Sequence, residues 1–398
     1  MSGSDASGGP PCTGLVVVEL ADDPAGELTG FLLAQMGATV RKLEGPGGAA
    51  SRSAGPFAGD LADPEASLPY WFYNGNKDSV VADLATPDGR AVFEAELAGA
   101  DVLLSTLAPR HLRRLALALD ELVAARPELI VVSVTPFGLT GAWADYLSSD
   151  LVGLAASGLL NMSGYDDHTI PPIRPGGDQG YHVAGTFAHM ATLLALVERG
   201  RSGRGGLVDV SMHDALAVTC ELSNPFWFYP GFVVRRQTCR HAQPVPTQPA
   251  HFLCGDGRYV YFALILAEQK PWQALVDWMA TLDMALDLSD AAFLDVGHRQ
   301  ANFAYIQNLV ECFFLVQDSL SVYHDGQARG LPIGILNAPE DLFDDEHLQA
   351  RQFFVPVDQP GVGTVRYPGP PYRFSAFPPV ARRAAPTLGA AAPTGPAD

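Results

Sequence analysis

Apolar residues run almost unbroken through 15–20, where Leu15-Val16-Val17-Val18 leads into Glu19-Leu20, and that run predicts a short buried strand. Residues 25–36 read as a helix closed by Gly37, and 39–43 predict a second strand. Strand, helix and strand over so short a span make a βαβ unit, and therefore a parallel sheet. The alternation continues with a helix at 91–97, a strand at 101–105, a helix at 110–119 and a strand at 130–134. The longest apolar stretch, 181–199, is rich in Ala, Leu, Met and Val, has no Pro and one Gly, and predicts a long buried helix. Residues 1–14, rich in Gly, Ser and Pro, are expected to fray.

Beyond residue 220 the pattern changes. Residues 221–248 are irregular, with Pro225, Pro230, Pro244 and Pro246 around the cluster Phe226-Trp227-Phe228-Tyr229, and suit a linker. Gly255-Asp256-Gly257 predicts a hairpin turn between 251–254 and 258–264. Helices are expected at 271–279, 290–294, 303–314 and 320–327, then a turn at 361–363 and a strand edge at 365–367. The tail, 382–398, is rich in Ala, Pro and Gly and is expected to be disordered at its end. The fold class expected is α/β: a Rossmann-like parallel-sheet large domain with a smaller α/β domain. Its divisions are 1–222 (large domain), 223–332 (linker and small domain) and 333–398 (return to the large domain).

Composition narrows the function classes. Of 398 residues, 47% are hydrophobic and 17% charged, as in a well-packed globular enzyme. The net charge of −19 excludes a nucleic-acid binder, which needs a basic footprint. The five cysteines are scattered without a C-x-x-C pair, and the ten histidines show no metal spacing, so no metal site is expected. Residues 1–14 lack a basic n-region, and no uninterrupted apolar run reaches the ~20 residues of a bilayer span. A cytoplasmic protein without a membrane partner is expected.

Ligands of open parallel sheets bind beyond the carboxyl ends of the strands, here the loops at 21–26, 44–48, 105–110 and 135–141. The first of these, Ala21-Asp22-Asp23-Pro24-Ala25-Gly26, is not a G-x-G-x-x-G turn, and its two acids would repel a pyrophosphate. Asp178, in Pro175-Gly176-Gly177-Asp178-Gln179-Gly180, stands just before the long helix. It is either an N-cap or a carboxylate held at the positive end of a helix as a nucleophile. Spacing alone does not choose.

Several blocks in their joint order resemble the class III CoA-transferases, the formyl-CoA and carnitine CoA-transferase-like family, over nearly the whole chain. They are Ala25-Gly26 with 33–44, Asn74-Gly75-Asn76-Lys77 with 83–90, 203–215, Gly330-Leu331-Pro332-Ile333-Gly334, and Ala385-Pro386-Thr387-Leu388-Gly389. The resemblance implies a catalytic aspartate after a glycine, matching Asp178. It implies CoA contacts at Arg114, Lys42, Lys77, Thr106 and Leu107, and oxyanion donors around Gly176, Gly177 and Gly180. It also implies an interlocked homodimer, acyl-CoA and a carboxylic acid as substrates, and no tightly bound cofactor.

The departures from the family pattern are Gly45 and Ala85 at positions where relatives carry a basic CoA contact. Pro24 stands in place of a glutamine near the acyl group, and Thr106 in place of an asparagine. They point away from formate and oxalate. Two alternatives remain: an α-methylacyl-CoA racemase, against which Ser149 stands where that enzyme has a histidine base, and a non-catalytic CoA-binding protein.

Overall fold

The computed structural model describes residues 9–59, 62–221, 223–245, 247–263 and 268–394. Six strands, β1 (Val16–Leu20), β2 (Thr39–Glu44), β3 (Lys77–Val81), β4 (Val102–Ser105), β5 (Ile130–Thr135) and β6 (Gly206–Ser211), form one parallel sheet. Their order is β3-β2-β1-β4-β5-β6, so the direction of winding reverses between β1 and β4. Because strand side chains alternate, Val17, Leu104 and Val132 enter one core, and Val18, Leu103 and Val131 the core on the other face.

The helices of this part are α1 (Pro24–Gln35), α2 (Leu68–Asn74), α3 (Pro87–Ala98), α4 (Pro109–Arg114), α5 (Leu119–Ala125), α6 (Asp150–Ala156), α7 (Gln179–Ser202) and α8 (Met212–Val218). Their starts are chemically marked. Asp23 caps α1 ahead of Pro24, Ser67 caps α2, Thr86 caps α3 ahead of Pro87, and Ser149 caps α6. The helix expected at 110–119 is two, α4 and α5, because Ala116 turns to φ +47° between them. Helix α7 ends at Gly203 in the left-handed conformation.

Two compact units emerge, 1–161 with 173–224 and 346–398, and 162–172 with 225–345. The boundaries differ from the sequence expectation at two places. Residues 162–172 join the second unit, where Asp166 pairs with Arg240 and His168 with the Arg236 carbonyl at 3.0 Å. Residues 333–345 join it too, because the strand at Ile333–Ile335 pairs with one at Tyr259–Phe262. Leu222, at the expected first boundary, lies outside the described residues.

The stretch expected to be irregular at 221–248 contains α9 (Ser223–Phe228) and the two-stranded β7 (Arg235–Gln237) and β8 (Arg240–Gln243). The hairpin is present as β9 (His251–Leu253) and β10 (Tyr259–Phe262), with β11 (Ile333–Ile335) on its other edge, and residue 264 lies outside the described residues. Helices α10 (Gln269–Ala280), α11 (Val296–Ala301), α12 (Phe303–Leu315) and α13 (Ser319–Ala328) cover it. The helix expected at 290–294 is 3-10. Trp272, Trp278, Phe252, Phe313 and Phe314 fill this unit's core.

The return begins with α14 (Glu346–Ala350) and the hairpin β12 (Phe354–Gln359) and β13 (Gly363–Pro368). The segment after it runs back within the first unit to the edge strand β3. Gly389 N–H donates to Ser79 Oγ at 2.9 Å, Ala391 N–H to Ser79 O at 2.9 Å, and Ala385 is buried. Residues 1–8 and 395–398, the outer parts of the expected frayed ends, lie outside the described residues; Cys12 is buried.

Candidate active site

The reversal of winding opens a crevice at the carboxyl ends of the strands, where ligands of such sheets bind. A cavity of about 540 Å³ lies there, lined by the ends of β1, β2 and β3 together with Leu107 and Arg114. Gly26 lets α1 start close to the β4 loop, since a Cβ on it would lie 2.4 Å from the Thr106 methyl.

The cavity's acids are engaged. Asp22 Oδ1 accepts from Ala50 N–H at 2.6 Å and Asp83 Oδ1 from Ala85 N–H at 3.0 Å. For Glu44, burial alone would raise the carboxyl, but hydrogen bonds from Arg52 and Ser79 more than reverse this and hold it at about 2. Arg90 donates to the Leu115 carbonyl. Arg114 is exposed and forms no ion pair among the described residues, so its guanidinium is free for an anion. Gly45 and Ala85 line the same cavity without a charge to offer. Thr106 is nearly buried, its Oγ1 accepting from Asp22 N–H at 3.0 Å, so it shapes the loop; Leu107 lines the wall.

Lys42 and Lys77 require correction as CoA contacts. Both are buried beneath the sheet, and their ammonium groups are saturated. Lys42 Nζ lies 3.0 Å from Glu19, 2.9 Å from Glu27 and 2.8 Å from the Ala21 carbonyl. Lys77 Nζ lies 2.8 Å from Glu19, 2.8 Å from the Glu27 carbonyl and 3.0 Å from Asn74 Oδ1. Burial opposes the charge on Lys42, but Glu27 and Glu19 overcome it and raise its pKa. Neither lysine keeps a donor for a ligand.

Asp178 stands at the start of α7, but it does not cap it; its side chain accepts no hydrogen bond from the first turn. That task falls to buried Asp150, whose Oδ1 accepts from Gly180 N–H at 2.6 Å. The Asp178 side chain is 42% exposed and meets Arg174 Nη2 at 3.1 Å, and the same guanidinium binds Asp150 Oδ2 at 2.9 Å. Gly180 therefore has no free N–H for an oxyanion, a second correction. Gly176 and Gly177 N–H donate to no group among the described residues, and Gly177 has φ +74°. Asp178 is not among the residues lining the 540 Å³ cavity.

Sequence reasoning assigned no role to the groups that surround Asp178. One turn along α7, His182 Nε2 lies 2.7 Å from Tyr73 Oη. Burial pulls the His182 pKa down and pushes the Tyr73 phenol up. Tyr181 is pushed up to about 12, first by burial and then by Asp23, Asp150 and Asp178. The i+3 and i+4 spacing from Asp178 was the available signal for Tyr181 and His182; nothing local announced Tyr73. Ser149, where a racemase would place its histidine, spends its hydroxyl accepting from Val152 N–H at 3.3 Å. No cluster of three or more potential metal ligands occurs among the described residues.

The succinyl-CoA:(R)-benzylsuccinate CoA-transferase subunit BbsE of Thauera aromatica is 31% identical over 375 residues, covering 92% of this chain and 90% of that protein. The acetyl-CoA:oxalate CoA-transferase of Acetobacter aceti is 29% identical over 372 residues, covering 92% and 90%. The crystal structure of a CAIB/BAIF family protein from Brucella suis superposes with a TM-score of 0.81 at 26% identity, covering 96% of this chain and 97% of that one. A model of CoA-transferase family III matches residues 13–392, and the chain belongs to that family.

Proposed function

We propose that this protein transfers CoA from an acyl-CoA donor to a free carboxylic acid, with Asp178 as the nucleophile. The observation that carries the reading is the division of labour at α7: Asp150 caps the helix, so the Asp178 carboxylate is released from structural duty and left open to solvent. A carboxylate is ionised at neutral pH and attacks without a general base. Its oxygen adds to the thioester carbonyl and expels CoA thiolate, leaving a mixed anhydride. The thiolate attacks the aspartyl carbonyl, frees the donor acid and forms an aspartyl-CoA thioester. The acceptor carboxylate then attacks that thioester to give a new anhydride, and the thiolate takes the acyl group and restores Asp178. No net proton moves. Arg114 is the proposed anchor for the CoA phosphates, and the Gly176 and Gly177 N–H groups are the proposed oxyanion donors. Named relatives act on succinyl-CoA or acetyl-CoA, which supports a short-chain donor.

Asp178→Asn tests this directly. Asp150→Asn serves as the structural control. We expect the Asp178 variant to keep its melting temperature and CoA binding while kcat falls by at least about 10³-fold, with no acyl adduct on the peptide holding position 178. Near wild-type turnover would remove Asp178 from the mechanism.

One observation favours a second reading. Asp178 is ion-paired to Arg174 and stands outside the cavity, and several relatives are named as subunits, among them BbsE and the alpha and beta subunits of a succinyl-CoA–L-malate CoA-transferase. In that reading the chain pairs with a homologous subunit that supplies the nucleophile. Turnover that needs a second polypeptide and survives Asp178→Asn identifies it. The first reading takes the assembly to be the homodimer of two interlocked chains that the family resemblance implies.

A further inference from the structure

A second cavity lies at the other edge of the parallel sheet. It is lined by Met36 beyond the C-terminal end of α1, Asn76 just before β3 and Pro10 ahead of β1, all at the edge where the strands begin, whereas the crevice holding Arg114 lies where they end. Its volume is about 960 Å³, at the upper end of cavities that hold organic ligands.

Charge sets this cavity apart. The chain carries 44 acidic residues and a net charge of −19, yet the cavity wall contains Arg351, Arg373, Arg382 and His347 and no Asp or Glu. Arg351 and Arg373 are exposed and form no ion pair among the described residues. Arg382 is packed between the rings of Phe31 at 4.6 Å and Tyr367 at 4.3 Å and donates to the Phe72 carbonyl at 2.8 Å, with no carboxylate bonded to it. Burial pulls its pKa down to about 10. Phe353, Phe374 and Phe377 supply the apolar surface.

We propose that this cavity is a second ligand site, which binds an organic acid with an aromatic or branched apolar body. The carboxylate faces Arg351 and Arg373, and the body lies among the three phenylalanines. Two guanidinium groups without counter-charges give a carboxylate a charge-assisted partner that an alcohol of the same shape lacks. The proposal stands independently of the CoA-transfer reading, because it uses neither Asp178 nor the crevice.

Isothermal titration of the full chain with phenylbutanoate and with phenylbutanol tests it. The acid is expected to bind at least about tenfold more tightly than the alcohol. The double variant Arg351→Met with Arg373→Met should weaken the acid by about tenfold or more. Saturating CoA and Arg114→Met should leave acid binding unchanged. Equal affinity for acid and alcohol, competition by CoA, or indifference to the arginine variant would overturn the proposal. So would a wild-type protein that binds no acid and whose Arg351 and Arg373 variants change sedimentation coefficient, since the cavity would then be a contact between chains.

Discussion

The carboxylates around the candidate active site differ in what holds them, and those differences are measurable one side chain at a time. Asp150 is locked by Gly180 N–H and Arg174, Asp178 by Arg174 alone, and Glu44 by a two-pronged contact with buried Arg52 at 2.7 and 2.9 Å plus Ser79 at 2.5 Å. Glu44 has a folded pKa of about 2 against an ordinary 4.5, so its contribution to stability is complete above about 4.5 and is lost as pH falls through 2. Unfolding free energy should therefore decline between those values, and Glu44→Gln should flatten that acid limb while lowering stability at neutral pH by about 1–3 kcal/mol, because it leaves the buried Arg52 with the half-exposed Glu65 as its one remaining counter-charge. Chemical denaturation from pH 2 to 7 checks both; an unchanged acid limb in the variant would assign the transition to other carboxylates. Lys42 and Lys77 show why such sites resist reading from sequence. A lysine is normally exposed, and the shared counter-ion Glu19 lies 23 and 58 residues away along the chain. Asp178 was legible as a helix-start carboxylate, but its freedom from capping depends on Asp150, which only the folded chain brings within reach.

At the scale of elements, the packing of α1 on α7 positions the site, because α1 begins in the crevice and α7 begins at Asp178. Gly185 makes this approach possible: a Cβ there would sit 2.6 Å from the Ala25 carbonyl and 3.3 Å from the Leu28 Cβ. Gly185→Ala should push the helices apart and cost about 1–3 kcal/mol. Gly200→Ala in the same helix, where a Cβ meets nothing within 4 Å, should instead stabilise by about 0.5–1 kcal/mol. Thermal melts of the two variants separate close packing from helix propensity, and equal shifts would refute the close-packing account. The apolar strands β1, β4 and β5 were legible from their runs. Strand β3 was not, because Lys77-Asp78-Ser79 reads as polar surface until the buried carboxylates Glu19 and Glu44 are placed opposite Lys77 and Ser79. The break between α4 and α5 was hidden because Ala116 adopts φ +47° without the Gly or Asn that usually signals such a turn. Helix α7 alone among the described residues has the length and apolarity of a bilayer span, but its place beside α1 and behind β5 and β6 is that of a sheet crossover.

For the whole molecule, the outer face of α7 matters most. Met190, Leu194 and Val197 fall on one side of the helix at i, i+4 and i+7, and Leu194 is 70% exposed. Such a stripe is the kind of surface that the proposed dimer would cover. We expect Leu194→Glu to weaken the proposed dimer, lowering the melting temperature by several degrees and shifting the sedimentation profile; a wild-type protein that sediments as a folded monomer would sink the dimer. The segment at 385–391 has a further consequence, which concerns the order of synthesis. Arg52, made early, completes its bonding only when the Pro386 carbonyl reaches it at 3.1 Å, and Ser79 waits for Gly389 and Ala391. All of unit 162–172 with 225–345 leaves the ribosome before those residues do. The parallel sheet therefore spends most of translation with its β3 side unsealed, while the inserted unit has every strand it needs. A nascent chain halted before residue 385 would carry a finished insertion inside an unfinished host.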